Sequence, residues 1–399
     1  MVETNPALAN IFSDRLQQVV PSPIHTFSEQ VSHLPNILKL TIGEPDFPVP
    51  DHIKAAAVAA IEADDSHYSV SAGSLALRQA AQQFLAERYQ LNYNATTEIL
   101  TTVGATEGLF TILSAVLNPG DEVLIPTPAY PVYAEMTHLN GGEPLLVDVS
   151  QDDFILTPQR LRAVLATHPR IKVLLLTNPS NPTGATYTAA EMQALADVLK
   201  ETSVLVISDE IYSELQYEGE HASMATYLPQ QTIVVNGVSK SHAMTGYRIG
   251  ILAGPAALIA QINKVHGFVI MTPSNPAMAA ATEAFNCARS LADTQRMKAA
   301  YQARRDFLVT ELTALGFDMV RPNGAFYIFA KIPADLGQDD VVFANELVAR
   351  ERLAVVAGSG FGPGGEGYIR ISYAASMAML VDAISRLKSF ATSARATAV

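Results

Sequence analysis

Residues 232–254 read TIVVNGVSKSHAMTGYRIGILAG. Two nearly all-apolar runs, TIVVNG (232–237) and RIGILAG (248–254), flank a short segment of small and polar residues that contains Lys240. A strand that is apolar throughout is covered on both faces, as in a sheet sandwiched between helices. The same texture repeats outward from this block. EVLIP (122–126), EPLLVDV (143–149), IKVLLLT (171–177) and VLVIS (204–208) predict further strands. Residues 188–200 predict an intervening helix, and 54–63, 74–89 and 105–117 predict three more. Strands alternating with helices predict an α/β domain around a mostly parallel sheet.

The tail has a different texture. A long helical pattern at 289–315 is followed by strand-like FDMV (317–320) and GAFYIFAKI (324–332). A helix at 339–351, strands LAVVAG (353–358) and GYIRISYA (367–374), and a closing helix at 375–391 complete a smaller α+β unit. The first 50 residues, with PSP at 21–23 and EPDFPVP at 44–50, are too short for a domain and read as an arm. At ~100–200 residues per domain, a length of 399 fits two domains.

Composition excludes several classes. Only 16% of residues are charged, a low share that points to surface covered by another subunit. The net charge of −13 disfavours a nucleic-acid partner, and Arg304-Arg305 is the largest basic cluster. Cys287 is the single cysteine, so no intramolecular disulfide forms; it sits in a helical pattern and reads as an inert packed thiol. The N-terminus shows no signal-peptide pattern and no run of 18 apolar residues occurs. A cytoplasmic, non-membrane protein is the expectation. The histidines are scattered without ligand spacing, so no metal site is expected. GFGPGG (360–365) matches a dinucleotide fingerprint in letters, but a strand rather than a helix follows it, and a loop is the better reading. The pairs Asp64-Asp65, Asp152-Asp153 and Asp339-Asp340 fit turns or helix caps.

Four features carry chemistry, each with a bland alternative. Asp209 ends the strand VLVIS, where open α/β sheets bind ligands, though a carboxylate there can equally cap a helix. Lys240 lies among Ser, Ala, Met and Gly with Arg248 eight residues on, an odd setting for a solvated lysine. NPSNPTG (178–184) follows LLLT, and turn formation alone would explain it. VGATEGL (103–109) runs a strand into a helix N-terminus, whose free N–H groups suit a phosphate or a cap.

Taken in this order, from GEPDF (43–47) to RISYA (370–374), these features resemble the fold-type-I pyridoxal-phosphate enzymes, specifically the class I/II aminotransferases of the aspartate/aromatic kind. The resemblance implies a large cofactor domain with a mostly parallel seven-stranded sheet near 51–289. It also implies a small α+β domain at 290–399 that shares residues 1–50. Lys240 stands at the Schiff-base lysine. Asp209 matches the partner of the pyridine nitrogen. Tyr212 and Asn181 match donors to the phenolic oxygen. The phosphate falls to Gly104, Ala105 and Thr106, with Arg248 as a bidentate cation. Tyr68 resembles the tyrosine that reaches the neighbouring subunit's phosphate. Gly237 replaces a serine common in the family, leaving Ser239 as the nearby hydroxyl. Tyr130 matches the aromatic residue stacked on the ring. Arg370 and Gly43 match the carboxylate site, and Ile24 borders the side-chain pocket.

The implied activity is transfer of an amino group from an L-amino acid to a 2-oxo acid through a Lys240 pyridoxal-phosphate aldimine, by a homodimer with shared sites. Aspartate-specific relatives have a lysine at the position of Thr106, so an aromatic or broad-range donor is expected here. A carbon–sulfur β-lyase and an aminotransferase of lysine/diaminopimelate biosynthesis remain alternatives. A DNA-binding regulator is disfavoured, since only about 40 residues, without basic character, precede GEPDF.

Overall fold

The computed structural model describes residues 1–8, 10–286 and 288–397. Cys287 lies outside the described residues. Among them, the strands in chain order are β1 (Leu38–Lys39), β2 (Ile99–Thr102), β3 (Glu122–Thr127), β4 (Glu143–Asp148), β5 (Ile171–Thr177) and β6 (Leu205–Asp209). β7 (Thr232–Gly237), β8 (Gly250–Ala253), β9 (Tyr327–Lys331), β10 (Leu353–Ala354), β11 (Val356–Ala357) and β12 (Tyr368–Ser372) follow.

β2 to β8 form one seven-stranded sheet in the order β2-β8-β7-β6-β5-β3-β4. Only β8 runs against its neighbours, so the sheet is mixed but mostly parallel. The all-apolar strands are explained by cover on both faces. Val173 and Leu175 of β5 pack with Leu109 and Ile112 of the helix Gly104–Val116. Leu174 and Leu176 point the other way, onto Met192 and Leu195 of the helix Ala189–Leu199. Each such fully buried side chain contributes about 1.5–3 kcal/mol. The helix Ala189–Leu199 starts where the sequence placed it. Thr188 Oγ1 accepts from the Glu191 N–H, and Glu191 Oε2 accepts from the Thr188 N–H, a reciprocal cap.

Register decides where chemistry can gather. Thr102 faces Gly250, Gly250 faces Gly237, and Thr177 faces Asp209 across neighbouring strands. The ends of β2, β5, β6 and β7 and the start of β8 therefore lie along one edge. Gly250 must be glycine there, because a Cβ would overlap the backbone of Gly104 and Ala105.

The smaller body packs β11, β12 and β9 as an antiparallel sheet. Its core joins Tyr301 and Leu308 of the helix Ala288–Ala314 to Phe326 and Ile328, and to Leu380 and Ile384 of the helix Met377–Thr397. β1 pairs in parallel with β10, which ties the N-terminal arm to the C-terminal part of the chain.

Four expectations are revised. FDMV forms no strand; it leaves a single bridge, Asp318 to Lys331. LAVVAG is two short strands in different sheets, because the chain changes partner at Val355. The closing helix runs from Met377 to Thr397, since nothing in its last turns breaks it. The arm contains a helix, Pro23–Ser32, with proline at its first position, where a missing N–H costs nothing. The reading of GFGPGG as a loop holds: Gly358–Phe361 is a tight turn leading into β12. No described helix is long and apolar enough to cross a membrane. No group of three or more His, Cys, Asp or Glu side chains among the described residues is placed to hold a metal.

Candidate active site

A cavity of about 470 Å³ opens at the strand edge just described. Its sheet side is set by strand ends. Asp209 is the last residue of β6, and Ser239 and Lys240 lie in the turn Val238–Ser241 that follows β7. Ala105 and Thr106 bring in the first turn of the helix Gly104–Val116, which has no side-chain cap. Tyr130, Asn181, Tyr212 and Arg248 complete the sheet side, while Gly43, Arg370 and Ile24 come from the smaller body and the arm.

Two of the sequence-derived residues do not line this cavity. Gly104 sits just behind it, at φ +72°, a conformation that glycine adopts without strain. A Cβ there would overlap the Arg248 guanidinium, so glycine is what lets that cation approach the helix N-terminus. Tyr68 is 81% exposed, on a different face.

Asp209 is buried, and this matters more than any other single fact about the site. Its Oδ2 accepts from the Tyr133 hydroxyl at 2.8 Å and its Oδ1 from the Ile211 N–H at 3.2 Å. Burial pushes its carboxyl up to about 6, with the Tyr133 hydrogen bond pulling the other way. Lys240 Nζ donates to the Gly43 carbonyl at 2.5 Å. Burial brings its amine down to about 8; Glu44 opposes the shift, and Arg248 and Arg370 assist it. The amine thus has a neutral fraction near neutral pH that a solvated lysine lacks.

Arg370 is buried and held on three sides. Its Nη1 donates to Asn181 Oδ1 at 2.9 Å and its Nη2 to the Thr41 carbonyl at 2.7 Å. Its guanidinium lies 4.4 Å from the Tyr327 ring centroid and 4.8 Å from that of Phe361, so the GFGPGG loop backs this cation. Arg370 Nε has no partner although it is buried. An orphaned buried donor on a fixed guanidinium calls for an anionic guest. Tyr212 and Tyr327 share a hydroxyl hydrogen bond of 2.9 Å, and a Cβ on Gly43 would overlap the Tyr327 hydroxyl.

Most of the chain is matched by known relatives. The sequence profile of the family described as "Aminotransferase class I and II" matches residues 35–387. The chain belongs to this family. It is 40% identical to the probable N-acetyl-LL-diaminopimelate aminotransferase of Bacillus subtilis, over 96% of each chain. It is 34% identical to aromatic-amino-acid aminotransferase 2 of Thermococcus litoralis, covering 94% of this chain and 97% of the other. The solved aspartate aminotransferase from Thermus thermophilus with maleate has 36% identity, a TM-score of 0.90, and coverage of 95% and 99%. The chain is therefore a fold-type-I, pyridoxal-phosphate-dependent aminotransferase, EC 2.6.1.

The residues present fit that cofactor. A helix N-terminus beside Arg248, with a glycine cradle that any Cβ would fill, suits a phosphate. A buried carboxylate, Asp209, suits a cationic ring nitrogen, and an amine with lowered pKa lines the same cavity.

Sequence reading passed over Tyr133, Thr177, Tyr327 and Thr41. Tyr133 follows Tyr130 by three residues in AYPVY, but that spacing does not report its partner Asp209.

Burial of Asp209 has a measurable consequence. A group whose folded pKa is raised from 3.8 to about 6 stabilises the fold below about pH 4 and loses that contribution as pH rises through 6. In the cofactor-free protein at pH 8, Asp209→Asn should therefore raise the unfolding free energy by up to about 3 kcal/mol. The gap should close towards pH 4. Denaturant melts of both proteins at the two pH values check this, and equal stability at pH 8 would rule it out.

Proposed function

We propose that Lys240, Asp209 and Arg370 divide the amino-transfer chemistry between them. The observation that carries this reading is their convergence, from the end of β6, the turn after β7 and the middle of β12, on one cavity closed by an uncapped helix N-terminus. Ala105, Thr106, Ser239 and Arg248, backed by Gly104, would hold the cofactor phosphate. Asp209 would hold the ring nitrogen, Tyr212 and Asn181 the phenolic oxygen, and Tyr130 the ring face. Asn181 already accepts from Arg370, which leaves its amide N–H donors for that oxygen.

Pyridoxal phosphate, when bound, supplies a conjugated ring that takes up the electron pair left at the substrate α-carbon. Arg370, which lines the cavity, binds the substrate α-carboxylate through its guanidinium. The Gly43 carbonyl, which holds Lys240 Nζ, keeps the amine beside that carboxylate. Lys240 Nζ takes the proton from the substrate α-carbon and returns a proton later in the exchange. Water would release the oxo acid while the donor's amino group stayed on the bound cofactor, and a second oxo acid would take that amino group up by the reverse path, with the same residues acting. Lys240→Ala should lower kcat by about a thousandfold or more, while Arg370→Lys should mainly raise KM for the amino acid. Steady-state rates with paired amino and oxo acids test both; full turnover by Lys240→Ala would refute the assignment.

The donor we infer is aromatic or broad-range. Thr106 is uncharged and exposed beside the cavity, and the cavity's own cations, Lys240, Arg248 and Arg370, already have tasks. Among the described residues no other Lys or Arg lines the cavity to meet a side-chain carboxylate. A second reading, an N-acyl diaminopimelate donor, is favoured by the name of the Bacillus subtilis relative. kcat/KM should be higher for phenylalanine or tyrosine than for aspartate, and Thr106→Lys should raise the aspartate value. A large aspartate preference in the unaltered enzyme would refute the inference.

We further propose that residues 51–289 form the cofactor domain, with 1–50 and 290–399 as the small domain, and that the enzyme is a cytoplasmic homodimer. Tyr68, Val70, Phe268 and Met271 are exposed apolar or aromatic side chains, a costly surface unless covered. Tyr68 would reach the neighbouring copy's phosphate from this face. Light scattering of the holoenzyme should give twice the chain mass, and Tyr68→Phe should weaken cofactor retention. A monomer of full cofactor affinity would exclude shared sites.

A further inference from the structure

Tyr133 is buried at the second position of the helix Val132–Leu139, one turn after Tyr130. Its hydroxyl donates to Asp209 Oδ2 at 2.8 Å and accepts from Thr177 Oγ1 at 2.9 Å. The direction of this relay is fixed. An ionised carboxylate only accepts, so Tyr133 must donate to it, and the Tyr133 oxygen then accepts the hydrogen bond from the Thr177 hydroxyl. Thr177 ends β5 in register with Asp209, so the relay spans two neighbouring strands and the helix above them. The Tyr133 ring also meets Tyr130 edge-on, with centroids 5.6 Å apart and planes at 89°.

Without that hydroxyl, Asp209 would keep only the longer bond from the Ile211 N–H, on its other oxygen. A buried carboxylate with one partner is free to turn about its last torsion. It is also less well stabilised as an anion, and the Tyr133 hydroxyl is the largest influence holding its pKa down against burial.

We propose that Tyr133, supported by Thr177, is a positioning residue that fixes the plane and the negative charge of Asp209 towards the cofactor ring. The inference rests on the reading that Asp209 pairs with the ring nitrogen, and goes beyond it by assigning what orients Asp209. A tyrosine that only filled the core would act through its ring, and its hydroxyl would be dispensable.

The test uses the full-length holoenzyme and four variants: Tyr133→Phe, Thr177→Val, the double variant and Asp209→Asn. Two properties are read: the Kd for pyridoxal phosphate, and the pH midpoint of the visible absorption of the bound cofactor. Tyr133→Phe should raise Kd by about three- to tenfold. It should shift the absorption midpoint in the same direction as Asp209→Asn, by less. Thr177→Val should act in the same direction more weakly, and the double variant should be no worse than Tyr133→Phe alone, since both changes break one chain. Unaltered Kd and midpoint in Tyr133→Phe, with Asp209→Asn impaired, would overturn the proposal and leave the Asp209 reading intact. Unaltered binding by Asp209→Asn would overturn both. Should Tyr133→Phe fold poorly by thermal melt, Thr177→Val decides alone, because it keeps the ring in place.

Discussion

A buried carboxylate at the end of a central strand is the constraint around which the rest is arranged. Asp209 is buried at the end of β6, in a sheet with helices on both faces, where an unpaired anion is expensive. Strand register brings Thr177 beside it, the helix above brings Tyr133 over it, and the next strand delivers Lys240 to the same cavity. Shifting any of these strands by one residue would turn the polar ends into the helical layers and the apolar residues into the cavity. The sheet's apolar packing and the site's polarity are thus two outcomes of one alignment.

The cavity mixes charges so that each group is held partly out of its preferred state. Lys240 is kept from full protonation by burial and by two arginines, and Asp209 is kept from full ionisation by burial. Arg370 retains an unused donor. Such groups are costly in a resting protein and useful once an anionic cofactor and substrate arrive. An acidic chain can therefore hold anions with a few placed donors, whatever its net charge of −13 implies for polyanions.

Legibility in the sequence followed chemical rarity. A lysine after an all-apolar strand and an aspartate at the end of another stand out, because these residue types seldom occur there unless something binds them. Most strands of the large sheet were plain for the same reason, since double cover leaves few polar residues to blur them; β2, which reads ILTT and is half threonine, was not among those predicted. Tyr133 and Tyr327 were not legible, because a tyrosine in an apolar stretch looks like core. Their partners lie 76 and 115 positions away, at Asp209 and Tyr212, and no local pattern reports such a distance. LAVVAG was misjudged on similar grounds: an apolar run records a tendency to pair and says nothing of how many partners it meets.

Arg370 donates to the Thr41 carbonyl across 329 positions, and β1 pairs with β10 over a similar span. Closing a loop of that length fixes ends that otherwise wander freely, so the contact forms only after nearer ones have folded. During synthesis the arm leaves the ribosome early and must wait for nearly the whole chain to appear. The large sheet and the helix Gly104–Val116 can mature in the meantime. The proposed carboxylate clamp is therefore among the last parts to be assembled, and a nascent chain can have its proposed phosphate cradle in place well before the residues proposed to grip an amino acid come together.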